Sequence, residues 1–461
     1  MIGDVTKLRD NRFQCISVMK SVEKRLRKWK QFDIFDQQFM EYVTRGVLGE
    51  VSEDEINQWK ISGGTVHYIS IHDVVKPDSV STPVRLVTNS ALKNCNTGPS
   101  INDMWPKGPN SLNNLYLVLI RFRCYEIGLV WDLSKAYNSI LTTLNEFFTR
   151  LVVWQGKTYG FTCVAFGDQQ ASILLELTKE VAADKGKEVD EMTALKLVQD
   201  SYVDDNLSGG SEEEVAQMQG TLEKLPDGKL KYNGTVSKIL ELVGMTPKVI
   251  VRSGEEDEDA KKKLGDKVLG HTWDVQGDKF KFTLCVNLYH KRRGVKTGPD
   301  ITKENVEMVD KELFTKRKAL SMLASFYDPM GLLCAHIITL KIMMRELCQY
   351  EEPGSANGGG DAQECRLRWD DRLPIGLETK WKKATKKLVM AESVRFPRGI
   401  KPANALGRPE VIAFWDGSMQ AFATTIYIRW KVTEDPPAWS AGLLTAKARV
   451  APIKGISAVR S

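Results

Sequence analysis

Two adjacent carboxylates, Asp204 and Asp205, follow Ser201-Tyr202-Val203 and precede Asn206-Leu207-Ser208-Gly209-Gly210. Neighbouring side chains of a β-strand point to opposite faces, so an aspartate pair inside a strand would send one charge into the core. At the tip of a hairpin both approach one side, and a divalent cation is the simplest reason to hold two like charges there. Taken alone, the pair reads first as an Asx-rich turn with two solvated aspartates. A third carboxylate changes the balance: Asp132 ends the apolar run Ile127-Gly128-Leu129-Val130-Trp131. Carboxylates at strand ends suit two-metal phosphoryl or nucleotidyl transfer, in which two Mg²⁺ about 3.5–4 Å apart activate the attacking oxygen and stabilise the leaving one. Mg²⁺ takes oxygen ligands, and the sparse five histidines agree with that without discriminating. Tyr137, just after Leu133-Ser134-Lys135-Ala136, reads either as a ring under a nucleotide sugar or as a core tyrosine.

The elements that must position these groups belong to an ordinary globular chain. Its 461 residues are 42% hydrophobic and 27% charged, with a net charge of +6. That allows several domains and a polyanionic partner without requiring one. Basic clusters occur at Arg25-Leu26-Arg27-Lys28-Trp29-Lys30, Lys261–Lys263, Lys291-Arg292-Arg293 and Lys380-Trp381-Lys382-Lys383; each reads equally as a solvated helix face. Eight cysteines without a Cys-x-x-Cys make neither a disulfide framework nor a zinc site. No apolar run reaches membrane-spanning length and no signal peptide opens the chain. An intracellular location, cytoplasmic or nuclear, is therefore expected, with no membrane partner.

Apolar spacing predicts two helices within 12–48, strands at 67–71 and 84–87, and a helix in 110–127. A buried strand follows at 126–132, another at 159–166, then helices at 168–185 and 211–224. Residues 248–263 read as a charged loop, and 268–272 and 280–286 as strands around Gly277. Helices at 315–326, 334–350 and 376–390 precede strands at 411–418 and 424–430, with a glycine-rich linker at 353–361. The mixture argues for an α+β (mixed α/β) fold.

Together, Trp131-Asp132-Leu133-Ser134-Lys135-Ala136-Tyr137 and Tyr202-Val203-Asp204-Asp205 resemble the two aspartate motifs of reverse transcriptases. The flanking sequence is similar to the polyproteins of BEL/Pao-type LTR retrotransposons, a family also labelled Pao retrotransposon peptidase. The similarity rests on His67-Tyr68-Ile69-Ser70-Ile71-His72, Pro83-Val84-Arg85-Leu86-Val87, Ser100-Ile101-Asn102-Asp103 with Lys107-Gly108-Pro109, Tyr327-Asp328-Pro329-Met330-Gly331 and Trp369-Asp370-Asp371-Arg372-Leu373-Pro374.

The resemblance implies fingers, palm and thumb, a connection region and an incomplete ribonuclease H-like lobe. Its boundaries would be an N-terminal helical segment 1–65, fingers and palm 66–265, primer grip and thumb 266–350, linker and connection 351–409, and the ribonuclease H-like unit 410–461. It implies an RNA-directed DNA polymerase that joins dNTPs to a primer 3′-hydroxyl on an RNA or DNA template–primer. Two Mg²⁺ (or Mn²⁺) would be held by Asp132, Asp204 and Asp205, with the Leu133 carbonyl as an extra ligand. Lys76 and Arg85 would neutralise the triphosphate, Tyr137 would exclude a 2′-hydroxyl, and Gly167 and Gln169 would lie beside the nucleotide. Gly270 and Trp273 would form the primer grip, and Asp416 would be a vestigial ribonuclease H carboxylate. Other products of the element's polyprotein are further partners on this view.

The sequence departs from the family at Asn89, where an aspartate is usual, at Ser172, where proline is usual, and between Trp154 and Tyr159, where a shorter segment would strain a palm hairpin. A single carboxylate in the last unit implies no ribonuclease H activity. Asp416-Gly417-Ser418 has the wrong order for an aspartic protease, so no proteolysis is expected. The chain reads as a polyprotein fragment. The alternative is a catalytically decayed or co-opted nucleic-acid-binding remnant of the same element.

Overall fold

The computed structural model describes residues 4–75, 84–93, 98–105, 108–226, 230–255, 267–282, 286, 288, 298–351 and 366–452. They divide into two units, each discontinuous along the chain. The first comprises Met1–Asn113, Asp132–Asp204 and Gln219–Lys248; the second, Asn114–Trp131, Asp205–Met218 and Val249–Ser461.

In the first unit the helix Arg12–Lys28 buries Cys15, Met19, Val22 and Leu26, a spacing that lines one face at 3.6 residues per turn. The next helix, Phe32–Thr44, buries Phe35 and Phe39. With Phe32, these rings surround Trp154, whose indole N–H donates to Asp36 at 2.8 Å. Leu48–Val51, Lys157–Phe161 and Leu151–Trp154 form an antiparallel sheet. Its tight connection is Gln155-Gly156, with φ of 48° and 83°. Two positive φ values make the turn type whose twist matches the flanking strands. The register from Leu151 opposite Gly160 to Trp154 opposite Lys157 is unbroken. The short segment therefore closes a complete hairpin instead of straining one.

The helix Ala171–Gln199 runs well past the expected end at 185. Its backbone leaves helical geometry at Asp190, whose carboxylate accepts from the Thr193 N–H at 2.7 Å. Asp190 thus re-caps the chain and restarts the helix. Gly186 lets Thr235–Glu241 come close: a Cβ there would sit 2.6 Å from Ile239 Cγ2.

The strand that carries Asp132 belongs to a four-stranded sheet of order Pro247–Arg252, Ile127–Leu133, Asp205–Gly210, Ser201–Tyr202. Leu129, Val130 and Trp131 are buried, as a strand covered on both faces requires. Residues 247–252, read from sequence as the start of a loop, are a strand.

The second unit packs the helices Leu115–Cys124, Lys316–Ala324, Cys334–Gln349 and Ile375–Met390 around a core that includes Phe122, Trp273, Phe280, Phe314, Met322 and Trp381. Arg398 is wholly buried. It donates to the Phe122, Tyr125 and Glu126 carbonyls and pairs with Asp278 at 2.6 Å, so no polar group of the guanidinium is wasted. A three-stranded antiparallel sheet has Ala421–Thr433 between Leu406–Gly417 and Ala438–Val450. Ala438–Val450 is locked at Gly331, where a Cβ would meet the Ala446 carbonyl oxygen at 1.7 Å and the Ala446 N–H donates to Met330 O at 2.9 Å.

Candidate active site

Asp132 and Asp204 both lie in the first unit, and the Asp204 carboxylate acts on Asp132. Asp132 is the penultimate residue of Ile127–Leu133. Burial pushes its carboxyl above the usual aspartate range; the Lys248 ammonium opposes that shift and the Asp204 carboxylate adds to it. Lys248 Nζ lies 3.5 Å from Asp132 Oδ2. Its strand, Pro247–Arg252, begins close to this carboxylate, where the Ser134 N–H donates to Thr246 O at 2.9 Å. Lys248 has no signal in the motifs; its only mark in the sequence is the apolar triplet Val249-Ile250-Val251 behind it.

Asp204 is set by the turn that holds it. Val203 has φ 58°, the left-handed region, which costs an L-residue roughly 1–2 kcal/mol and a β-branched one at least that. Two side chains one turn apart on Ala171–Gln199 grip both of its peptide groups. Glu176 accepts from the Val203 N–H at 3.1 Å, and Lys179 donates to the Val203 carbonyl at 2.7 Å. Lys179 and Glu176 also pair with each other at 2.9 Å, with side chains 1% and 6% exposed. Lys179 further donates to Ser201 Oγ at 2.9 Å, and Asn113 donates to the Val198 and Ser201 carbonyls.

Tyr137 stands in the same unit, on the turn Ala136–Ser139 entered through Lys135 at φ 52°. Its ring meets Phe166 edge-on at 4.8 Å, and its hydroxyl lies 3.4 Å from Ser172 Oγ. Burial raises its pKa above the usual phenol value, with smaller upward contributions from Asp204 and Glu176. The ring is buried and its hydroxyl has a polar partner, as in a core tyrosine.

The segment Phe166–Gln169 is anchored by Asp168, which was not singled out from sequence. It pairs with Arg150 at 2.6 Å and accepts from Ser90 Oγ at 2.6 Å and the Ala165 N–H at 3.1 Å. Gly167 has φ 116°, and a Cβ there would lie 2.1 Å from Thr88 O, so only glycine fits. Asn102 joins the two motifs: it donates to the Gly167 carbonyl and accepts from the Gln169 N–H. The Gln169 side chain donates to Trp105 O at 3.3 Å.

The other expected positions are scattered. Arg85 is exposed on Val84–Asn89, opposite Val74; it acts on Tyr42 and is not among the charges that shift Asp132. Lys76 lies outside the described residues. Leu133 is buried at the strand end. Asp205 opens Asp205–Gly210 in the second unit. In that unit, Gly270 turns at φ 85° against Tyr327. Trp273 is a core side chain, 5% exposed, its N–H donated to Asp278 at 3.0 Å. Asp416 is exposed, accepts from the Gly417 N–H and lies across from Ala423.

A hard divalent cation suits the oxygen donors of Asp132 and Asp204, and it would offset the Asp204 repulsion that adds to the effect of burial on Asp132. Among the described residues, no three His, Cys, Asp or Glu side chains are gathered closely enough to hold a metal ion. Asp204 acts on the charge of Asp132, and among the described residues no third such group joins them. An ammonium, Lys248, already faces Asp132.

Residues 315–460 match the family model of the Pao retrotransposon-like RNaseH-like domain. The match takes in the helices from Lys316 onward as well as the three-stranded sheet. No curated protein matches the chain. Among solved structures, the foamy viral protease-reverse transcriptase with an RNA/DNA hybrid aligns at 13% identity and a TM-score of 0.48, over 93% of this chain and 43% of its own. The same viral protein, with its dRH form in complex with double-stranded DNA, aligns at 13% and 0.46, over 89% of this chain and 54% of its own. A further complex with double-stranded DNA aligns at 12% and 0.47, over 91% and 66%. The chain spans about half the length of the dRH form. No described helix is long and apolar enough to cross a membrane.

Proposed function

We propose that the first unit carries the catalytic carboxylates of an RNA-directed DNA polymerase from a Pao-type retrotransposon. The observation that supports this reading is that the Asp204 carboxylate, from a distant motif, acts electrostatically on both Asp132 and the buried Tyr137. Asp132 and Asp204 would hold Mg²⁺ or Mn²⁺, with the Leu133 carbonyl as a further ligand in the loaded enzyme. Bound there, two ions would lower the pKa of the primer 3′-hydroxyl and stabilise the charge on the leaving pyrophosphate. Tyr137, braced by Phe166 and Ser172, would close the space beside the sugar and favour dNTPs over rNTPs. Gln169 and Gly167, fixed by Asn102, would supply polar backbone and side-chain contacts to nucleotide or template. Arg85 and Lys76 would meet the triphosphate, and Gly270 and Trp273 would shape the primer-grip turn. Template–primer would bind through its phosphates, with affinity falling steeply as salt rises.

Neither ribonuclease H nor proteolytic activity is part of this proposal. An intracellular setting, in element particles or the nucleus, goes with this reading. The test is primer extension on poly(rA)/oligo(dT) with Mg²⁺ or Mn²⁺, wild type against Asp204→Asn. Extension abolished by the substitution supports the assignment; equal inactivity of both proteins removes it.

A second reading is a nucleic-acid-binding remnant without turnover. The ammonium of Lys248 against Asp132, and the lack of a three-carboxylate cluster among the described residues, favour it. Salt-dependent binding of template–primer without dNTP incorporation would select it.

A further inference from the structure

We propose that Lys179 and Glu176 are positioning residues for Asp204, acting as a buried clamp that holds Val203 in its left-handed conformation. The inference rests on the metal-binding reading of Asp132 and Asp204, and goes beyond it to a pair that no motif contains. A hairpin turn with positive φ at its first central residue favours glycine there. This chain has valine instead, at φ 58°. A β-branched residue in that region persists only where its surroundings over-determine it.

The surroundings here are two charged groups on a single helical turn. Glu176 accepts from the Val203 N–H, Lys179 donates to the Val203 carbonyl, and the same Glu176 oxygen also accepts from Lys179. The peptide unit that leads into Asp204 is therefore fixed at its carbonyl by an ammonium, and the preceding unit at its N–H by a carboxylate. Hydrogen bonds to ionised groups are shorter and stronger than neutral ones. Burying two charges is costly and adds little net stability. A pair 1% and 6% exposed is therefore poorly explained as a stability device, and well explained as a geometric one.

The position of the turn decides where the Asp204 carboxylate points. Without the clamp, Val203 relaxes toward negative φ, and the carboxylate swings away from Asp132. Glycine needs no clamp, because it adopts positive φ without a Cβ penalty. That asymmetry gives a readout which a purely structural pair would not produce.

The experiment compares the full-length wild type, E176Q/K179M, V203G and the triple variant. Mn²⁺ binding is followed by electron paramagnetic resonance, primer extension is run in parallel, and thermal melting monitors the fold. In E176Q/K179M, Mn²⁺ affinity is expected to fall about tenfold or more, the scale of one hydrogen bond to a charged group. The melting temperature should move little, since the two charges leave together. V203G should bind Mn²⁺ like wild type, and the triple variant should recover most of the affinity lost by the double one. Unchanged Mn²⁺ affinity in E176Q/K179M overturns the proposal. So does a loss that Val203→Gly fails to rescue, and so does a wild type that binds no Mn²⁺ through Asp204. Where Mn²⁺ binding behaves as expected but wild type extends no primer, the clamp stands and the polymerase reading alone fails.

Discussion

Arg150 and Asp168 form an ion pair 2.6 Å long with side chains 1% and 0% exposed. Arg150 also packs over the ring of Trp105, and Asp168 accepts from Ser90, so the pair ties three separate segments behind Gly167 and Gln169. Removing one partner leaves an uncompensated buried charge, which costs about 3–5 kcal/mol. Asp168→Leu should therefore lower the urea midpoint sharply, while the double variant with Arg150→Met should recover much of the loss. Equal destabilisation by the single and double variants would show that the charge pair is not what matters.

Gly167 stands where no side chain fits. Its φ of 116° and the 2.1 Å approach of a Cβ to Thr88 O set two penalties that act together. Gly167→Ala should destabilise the protein by at least about 2 kcal/mol, the scale of a residue forced into an incompatible backbone conformation. The displaced loop should also release Asn102 from Gln169, seen as faster amide exchange at 167–170 in hydrogen-exchange mass spectrometry. Wild-type exchange and melting in the variant would contradict the geometry.

His271 gives the second unit a pH dependence with a defined sign. Burial, with Arg123 adding to it, lowers its pKa from 6.5 to about 4. It is packed among Phe280, Phe282 and Tyr327, and its Nε2 has no hydrogen-bond partner among the described residues. The unfolded chain therefore binds a proton that the folded chain does not between about 6.5 and about 4. Stability supplied by the neutral ring is fully present above the unfolded pKa and is lost as pH falls through that window. His271→Leu should flatten the melting temperature between pH 6.5 and pH 4 relative to wild type. An identical pH slope in the two proteins would assign the acid sensitivity to other groups.

What could be read from the residues, and what could not, follows from the range of each signal. The helix Arg12–Lys28 and the strand before Asp132 announce themselves through local apolar period. The strand Pro247–Arg252 was hidden because Lys248 and Arg252 bracket only three apolar residues, and so the cation facing Asp132 was missed. The charged stretch after Asp184 looked like a helix end, since the capping of Thr193 by Asp190 is a bond between side chain and backbone that composition does not encode. Glu176 and Lys179 lie three apart among apolar residues, a spacing that marks neither of them. Their burial is created by the hairpin, which arrives from a later part of the chain. Trp273, placed by resemblance at a primer grip, is held in the core by Phe122 and Asp278, contacts that its own neighbourhood in sequence does not reveal.

The strand Leu406–Gly417 pairs with Ala421–Thr433 along one edge, and among the described residues no strand lies along the other. Val411 and Trp415, on one face, are 66% and 78% exposed, and Phe414, on the opposite face, is 59% exposed. An edge of unpaired N–H and C=O groups flanked by apolar side chains is a template for pairing with another chain. Pro409 removes one donor near its start, which blunts only that end. Self-association that grows with concentration is therefore expected, and a charge at the most exposed position should suppress it. Trp415→Lys should shift sedimentation-velocity profiles toward the monomer. Its effect on folding stability should stay within about 0.5 kcal/mol, as for exposed surface substitutions. Aggregation that persists unchanged in Trp415→Lys and in Phe414→Lys would place the sticky surface elsewhere, because each substitution puts a cation on a different face of the same free edge.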